Sequence, residues 1–339
     1  MPVSIADVAQ KAKVSISTVS RVVNGRNIVN VKTRERVEQA IVELGYRPNL
    51  FARGLMLNKS NILALLLPDL HGDFYSEVIR GANLRARELG YHLLVSSVDP
   101  KEVHAMENLV ATARHAMADG VAMLVSDRAI TNQNALDQID FPLVILDGES
   151  KGGSHDAVII DHREGTVALM RHLVGCPEVQ RIIFVGGPET NIDSSERFEA
   201  YKQVMQEAGL RVSRRDVFHL DFQFESAHAL GLDRMRDWIG PRNCVFAGND
   251  EMAAGLVHAA LSLGVAIPED LRVVGFDDAR IAQLIKPQLT TVRVPMASMG
   301  AAAIELLTKR LEEPHRPRTK ITLQAELVVR ESCGLSRVR

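Results

Sequence analysis

Aromatic side chains are few: one Trp, four Tyr and ten Phe in 339 residues. Cysteine is scarcer still. Cys176, Cys244 and Cys333 stand far apart, and no Cys-x-x-Cys pair occurs. An odd, scattered set of three excludes a disulfide framework and offers no zinc spacing, so three reduced, buried thiols are expected. The eleven His show no ligand spacing either, and neither a metal nor a cofactor is expected. No apolar run approaches the roughly 18 residues that a membrane span needs. The opening MPVSIADVAQKAK lacks the apolar centre of a secretion signal. A cytoplasmic protein with no membrane partner is expected. Catalytic signatures are missing too: there is no Gly-x-Ser-x-Gly, no Walker loop and no His-Glu-x-x-His. The glycines of GGPET, residues 186–190, lack the Gly-x-Gly-x-x-Gly spacing.

Charge is present but unevenly spread. Residues 1–60 hold ten Lys and Arg against four Asp and Glu, a net +6, and the remainder carries −8. A compact basic head on an acidic body is the footprint of a polyanion partner. Charge alone does not separate DNA from RNA or lipid. The acidic body repels phosphate, which confines binding to the head.

The head predicts three short helices. Ser4 precedes IADVAQKA with Asp7 three residues on, the pattern of a capping box. Ile5, Val8, Ala9 and Ala12 then share one face. Ser15 can cap ISTVSRVV, which Asn24-Gly25 ends, with Val14, Val19, Val22 and Val23 turned inward. Asn30 can cap VKTRERVEQAIVEL, closed by Gly45. Two helices of about eight residues joined by a tight turn make a helix-turn-helix. The second helix exposes Ile16, Ser17, Thr18, Ser20 and Arg21: short groups that can approach base edges, and one bidentate donor suited to guanine. A three-helix bundle for protein contacts is the competing reading, and it leaves the charge excess unexplained.

The strings IADVAQKAKVSISTVSRVVNG, KTRERVEQAIVELGYRPN and ARGL resemble the head of the LacI/GalR family of bacterial regulators, and the likeness runs on through the body. It implies that Ile16 and Ser17 read bases and that Thr18, Ser20, Arg21 and Asn24 contact bases or phosphates. Residues 1–46 form the DNA-binding domain and 47–60 a linker. Within the linker NLFARGLML can form a short helix, weakened at Gly54 by roughly 1 kcal/mol. The resemblance makes it a hinge helix that orders on DNA, with Leu55 wedged into a minor-groove step.

From Ile62 the pattern changes to alternating strands and helices. ILALLLPD, YHLLVSS, VAMLVS and PLVILD read as strands, with helices over Tyr75–Leu89 and Glu102–Ala118. RIIFVGGPE then restarts the cycle, and CVFAGND and RVVGFDD follow. The expected fold is an all-α helix-turn-helix head plus an α/β body of two doubly wound parallel-sheet subdomains. The resemblance implies a body of periplasmic-binding-protein type whose chain crosses three times between subdomains. The N-terminal subdomain is then about 61–160 plus 293–320, and the C-terminal one about 161–292 plus 321–339.

Loops at the carboxyl ends of parallel strands line the cleft of such a fold. Those ends carry Asp69, Phe74, Tyr75, Asp147, Asp161, Asp193, Arg197, Phe222, Asn249, Asp250 and Asp277. Planar acceptors and donors above aromatic rings suit a sugar with vicinal hydroxyls. Carboxylates at strand ends also cap helices, and Asp193 and Asp250 can do that alone. His71 and His219 read as solvated or packed. The resemblance puts Arg197, Asn249 and Asp277 at ligand-contacting positions, joined by Phe74, Tyr75, Asp147, Asp161, Asp193 and Phe222.

The function this implies is a transcription regulator, most simply a repressor of carbohydrate-utilisation genes under a small sugar effector. Its partners are a pseudo-palindromic double-stranded operator, a neutral sugar and a second copy of the chain. The final residues carry no leucine heptad, so a dimer is expected and not a tetramer. A purine, sugar-phosphate or protein corepressor is the alternative. A carbohydrate-active enzyme is the remote one, because paired carboxylates of glycosidase type leave the basic head without a purpose.

Overall fold

The structure is a computed structural model describing residues 3–23, 29–46, 59–97, 111, 118–125, 141–148 and 154–334. Asn24, Leu55 and nearly all of the helix expected over 102–118 lie outside the described residues. The chain divides into two compact units, Met1–Asn61 and Ile62–Arg339.

The first unit holds α1 (Ile5–Ala12), α2 (Ile16–Val23) and α3 (Val31–Leu44). Each start is set by a side chain next to it in sequence. Ser4 accepts from the Asp7 amide at 3.3 Å while Asp7 accepts from the Ser4 amide at 2.8 Å. Ser15 accepts from the Thr18 amide, and Asn30 from the Thr33 amide. Caps of this kind contribute about 1 kcal/mol each. Lys13 closes α1 in the left-handed region at φ 53°, and Gly45 closes α3 at φ 63°. Val8, Val19 and Val37, one from each helix, meet at the fully buried centre.

The second unit contains two parallel sheets. The first has six strands in the order β11-β5-β4-β3-β1-β2. These are β1 (Ile62–Leu67), β2 (His92–Ser97), β3 (Gly120–Leu124), β4 (Leu143–Leu146), β5 (Asp156–Ile160) and β11 (Lys320–Leu323). Its central strands are buried on both faces, which accounts for runs such as ILALLL with no polar alternation. The second sheet has the order β7-β6-β8-β9, from Val217–His219, Arg181–Gly186, Asn243–Ala247 and Arg272–Val274. Among the described residues, α4 (Asp73–Glu88) and α10 (Met296–Glu312) cover the first sheet. They cross so closely that a Cβ on Gly81 would sit 1.9 Å from the Ala297 carbonyl oxygen, and one on Gly300 2.1 Å from that of Val78. Helices α5 (His162–Val174), α6 (Ile192–Glu207), α7 (Phe224–Trp238), α8 (Asp250–Leu263) and α9 (Arg280–Leu284) belong to the second half.

Two short strands outside the main sheets pair with each other. β10 (Thr291–Arg293) and β12 (Glu326–Val328) form a two-stranded antiparallel sheet. The buried Asp278 carboxylate holds β10 and the segment just after β12, accepting from Arg293 Nε at 2.8 Å and Arg330 Nη2 at 2.5 Å. β11 pairs with β5 through Leu323, so the first sheet keeps the chain that far. Its approach is pinned by Asp156, which is fully buried and accepts from Arg310 and Arg316. Among the described residues no helix is long and apolar enough to cross a membrane.

Candidate functional site

The carboxyl ends of β1, β6, β7, β8 and β9 open on a cleft between the two sheets. One wall is Asp69, the first turn of α4 with Phe74 and Tyr75, and Leu124. The other is Asp193 and Arg197 on α6, Phe222 after β7, Asn249 and Glu251 at the start of α8, and Asp277 after β9. Seven of the nine sequence-predicted ligand residues therefore face one space. Asp147 and Asp161 do not line it. Asp161 caps α5 by accepting from the Glu164 amide at 2.9 Å, the role that strand-end carboxylates commonly take. Asp147 lies one layer behind the wall.

Several of these side chains are fixed before any ligand arrives. Asn249 caps α8 through its oxygen, 2.9 Å from the Met252 amide, and its nitrogen donates to the Phe222 carbonyl at 3.0 Å. That bond holds Phe222 in the left-handed region at φ 67°, where a bulky residue is strained. The Phe222 ring covers Gly187 so closely that a Cβ there would meet it at 2.0 Å. Asp277 is also strained, at φ 115°.

Behind the wall runs a buried polar network. Arg197 donates through Nη1 to the Gly248 carbonyl at 2.7 Å and through Nη2 to His162 Nδ1 at 3.1 Å. Its carbon sits 4.2 Å from the centre of the Phe276 ring. On its other side, His162 Nε2 lies 3.0 Å from Asp147 Oδ2 and 3.6 Å from Asp193 Oδ1. Burial, reinforced by Asp147, pushes the Asp193 carboxyl up to about 7. Burial pushes Asp277 up to about 6 against the pull of Arg197, whose Nη2 is 4.0 Å away. Burial also holds Asp250 well above the usual carboxylate range, where it accepts from Thr291 and from the Ala279 amide.

Asp147, His162 and Asp193 bring ligand-type atoms within 4.8 Å of one another. Hydrogen-bond chemistry argues against a cation there. A metal would need the Nε2 lone pair and would move the ring proton to Nδ1, which faces Arg197, a donor only. The set is a His162–Asp147 hydrogen bond with the Asp193 carboxyl beside it.

Strand-end reasoning missed His162 behind the wall and Glu251 on it, and also Asp73, Asn191, Asp221 and Gln223, which line the cleft. His162 directly follows Asp161, and the strand end turns the second of the pair inward. Glu251 sits two residues past Asn249, on the same helix turn. It reaches the first turn of α4 across the cleft, close enough that a Cβ on Gly72 would lie 2.9 Å from its oxygen. Burial and then the Asp73 carboxylate raise its pKa.

In the head, α2 turns Ile16, Ser17 and Arg21 to solvent, with Ile16 51% exposed. Thr18 and Ser20 are half-buried. The hydroxyls of Ser17 and Thr18 both lie 2.8 Å from that of Ser15, which orders the start of the helix.

Comparison with known proteins covers both units. The profile of bacterial regulatory proteins of the lacI family matches residues 4–49, and that of a periplasmic binding protein-like domain matches 174–333. Catabolite control protein A of Priestia megaterium is 31% identical over 336 residues, which span 98% of this chain and 99% of that protein. The Lac repressor dimer bound to operator and the anti-inducer ONPF superposes with a TM-score of 0.86 at 26% identity, over 98% of this chain and 99% of that one. The transcriptional regulator CelR in complex with cellobiose gives 0.72 at 28% identity, over 97% and 99%. Likeness of this extent, over both the three-helix head and the two-sheet body, makes the chain a member of the lacI family of bacterial regulatory proteins and a DNA-binding transcription regulator.

Proposed function

We propose that the chain is a repressor controlled by a small neutral sugar seated in the cleft between the two sheets. The observation that carries this is a pair of buried atoms on one wall, Arg197 Nε and Asp277 Oδ1, that have no hydrogen-bond partner among the described residues. Leaving such atoms unpaired costs about 1–3 kcal/mol each. A sugar hydroxyl donates and accepts at once, and so can meet a lone donor and a lone acceptor. Phe74, Tyr75 and Phe222 supply flat apolar faces for the C–H side of a ring. Among the described lining residues, Arg197 is the one Arg or Lys, set among Asp69, Asp73, Asp193, Asp221, Asp277 and Glu251. That balance repels phosphates and other anions. The structure of the regulator CelR in complex with cellobiose is in keeping with a sugar.

On DNA, Ile16 and Ser17 read base edges while Thr18, Ser20, Arg21 and Asn24 contact bases or phosphates. Two copies of the chain span a pseudo-palindromic operator, and Leu55 wedges the minor groove. Effector and operator are coupled by about 1–3 kcal/mol, as is usual for allosteric proteins. The test is calorimetry with monosaccharides, disaccharides including cellobiose, nucleobases and sugar phosphates. Binding of a neutral sugar is expected. Tight binding of phosphorylated compounds alone would overturn the reading.

A further inference from the structure

Arg197 is held at two points, and one of them leads on to the other half of the body. Nη1 is fixed to Gly248 after β8, in the second sheet. Nη2 meets His162, which is 1% exposed at the start of α5 and bonded onward to Asp147 at the end of β4, in the first sheet. A guanidinium carries five N–H donors and no acceptor. The contact at 3.1 Å therefore exists only while His162 Nδ1 keeps its lone pair. The ring proton then sits on Nε2, where Asp147 accepts it at 3.0 Å. We propose that His162 is the positioning residue of the effector site: a neutral Nε2–H imidazole that aims Arg197 into the cleft and ties it to Asp147 of the opposite subdomain. The inference rests on the effector reading of the cleft and adds to it the group that links the two halves behind the ligand.

The two protonation states of this ring are not equivalent. A proton on Nδ1 would set two donors face to face and turn Arg197 away. The charged groups around the ring are Asp147 from β4, Asp193, Glu196 and Arg197 from α6, and Asp277 after β9. Burial opposes the imidazolium, and so does Arg197. Asp147 and Asp193 outweigh them and raise the pKa. Effector affinity is therefore greatest on the alkaline side and falls as the pH drops through the raised His162 pKa.

Two measurements decide the matter. The first needs no effector: nitrogen NMR of histidine-labelled full-length protein, with His162 assigned by its loss in His162→Gln. At about pH 9, well above the ordinary histidine pKa, a neutral ring protonated on Nε2 is expected. A ring protonated on Nδ1 overturns the proposal. The second is calorimetry with the sugar panel on two substitutions. His162→Asn keeps an amide oxygen near the place of Nδ1 and so keeps the acceptor for Arg197. His162→Gln keeps an amide nitrogen near the place of Nε2 and serves Asp147 alone. His162→Asn gives up only the bond to Asp147, so it should lose a few-fold in affinity, clearly less than His162→Gln, and show little pH dependence. His162→Gln should bind at least about tenfold more weakly, the scale of one lost charge-assisted hydrogen bond. Equal losses in both, as a ring that only fills space would give, overturn the proposal. If no sugar binds the wild type, the effector reading fails and the ring tautomer alone decides the case for His162.

Discussion

The head and the cleft use their functional side chains in opposite ways. On α2, Ile16, Ser17 and Arg21 stand in solvent, and the neighbours that organise them lie within three residues in sequence. In the cleft, Arg197, Asp193 and Asp277 are all less than a tenth exposed, and their partners lie far along the chain: His162, Gly248 and Asp147. The head presents groups that lose their water only when a partner arrives. The cleft has already desolvated its groups and holds them ready, which is why its carboxyls are pushed upward. A desolvated network answers as a unit, and an exposed face answers residue by residue.

The largest expected separation between the two regions comes from Arg197→Ala. It strands Asp277 and the His162–Asp147 pair in the interior, and loss of one partner of a buried charge pair costs about 3–5 kcal/mol. Chemical denaturation of the body should show that loss, and sugar binding in the calorimeter should disappear. Operator affinity should stay near wild type, because no base-reading residue is touched; a parallel loss of DNA binding would break the comparison.

Arg21→Ala is the mirror experiment. Operator binding should weaken by about 1–3 kcal/mol, while melting of the body and sugar affinity do not move. A drop in body stability would show that the face of α2 is not independent.

Acidity sharpens the contrast by sign. Asp193 and Asp277 have folded pKa values above their ordinary ones, so each binds its proton more tightly folded than unfolded. Their contribution to stability is present at low pH and is lost as the pH rises from about 4 through 6 to 7. In the head, Asp7 is lowered by the Ser4 amide and Glu43 by Lys11. Stability from those two is present above about pH 4 and is lost below it. Hydrogen exchange followed across pH should show protection falling in the body and level in the head between about pH 5 and 8. Asp193→Asn should flatten much of the body's slope. A slope unchanged in that variant would remove Asp193 from the account.

The smallest effects concern the caps. Ser4→Ala and Asn30→Ala should each cost about 1 kcal/mol, and together their sum, in thermal melting of the head. Asp193→Asn combined with His162→Gln should depart from additivity, since the two side chains share one network. Additive behaviour in the cleft would mean the network is less connected than its distances indicate.

The legibility of the sequence follows the same division. Ser4 with Asp7, Ser15, Asn30 and Gly45 were readable because caps act over three or four residues. The ILALLL strand and the strand-end positions of Asp193, Arg197, Phe222, Asn249 and Asp277 were readable because a parallel sheet sends one end of each strand to one place. His162 was not, since its meaning depends on Arg197 and Asp147, neither of which is a sequence neighbour. Asp161 was the natural choice at that strand end, but it is the residue that caps the helix. Glu251 was hidden for the same reason, because the turn of α4 it faces lies far away in the chain.

The sequence by itself determined the class of the protein: a basic three-helix head whose helix ends are set by adjacent side chains, and a body whose hydrophobic runs demand sheets buried on both faces. Only the tertiary structure decided which polar groups turn inward, how β11 joins the first sheet, and which carboxyls of the cleft are cut off from water. Desolvation and hydrogen-bond pairing depend on what surrounds a group in space, and in this fold those surroundings come from chain segments far apart in sequence.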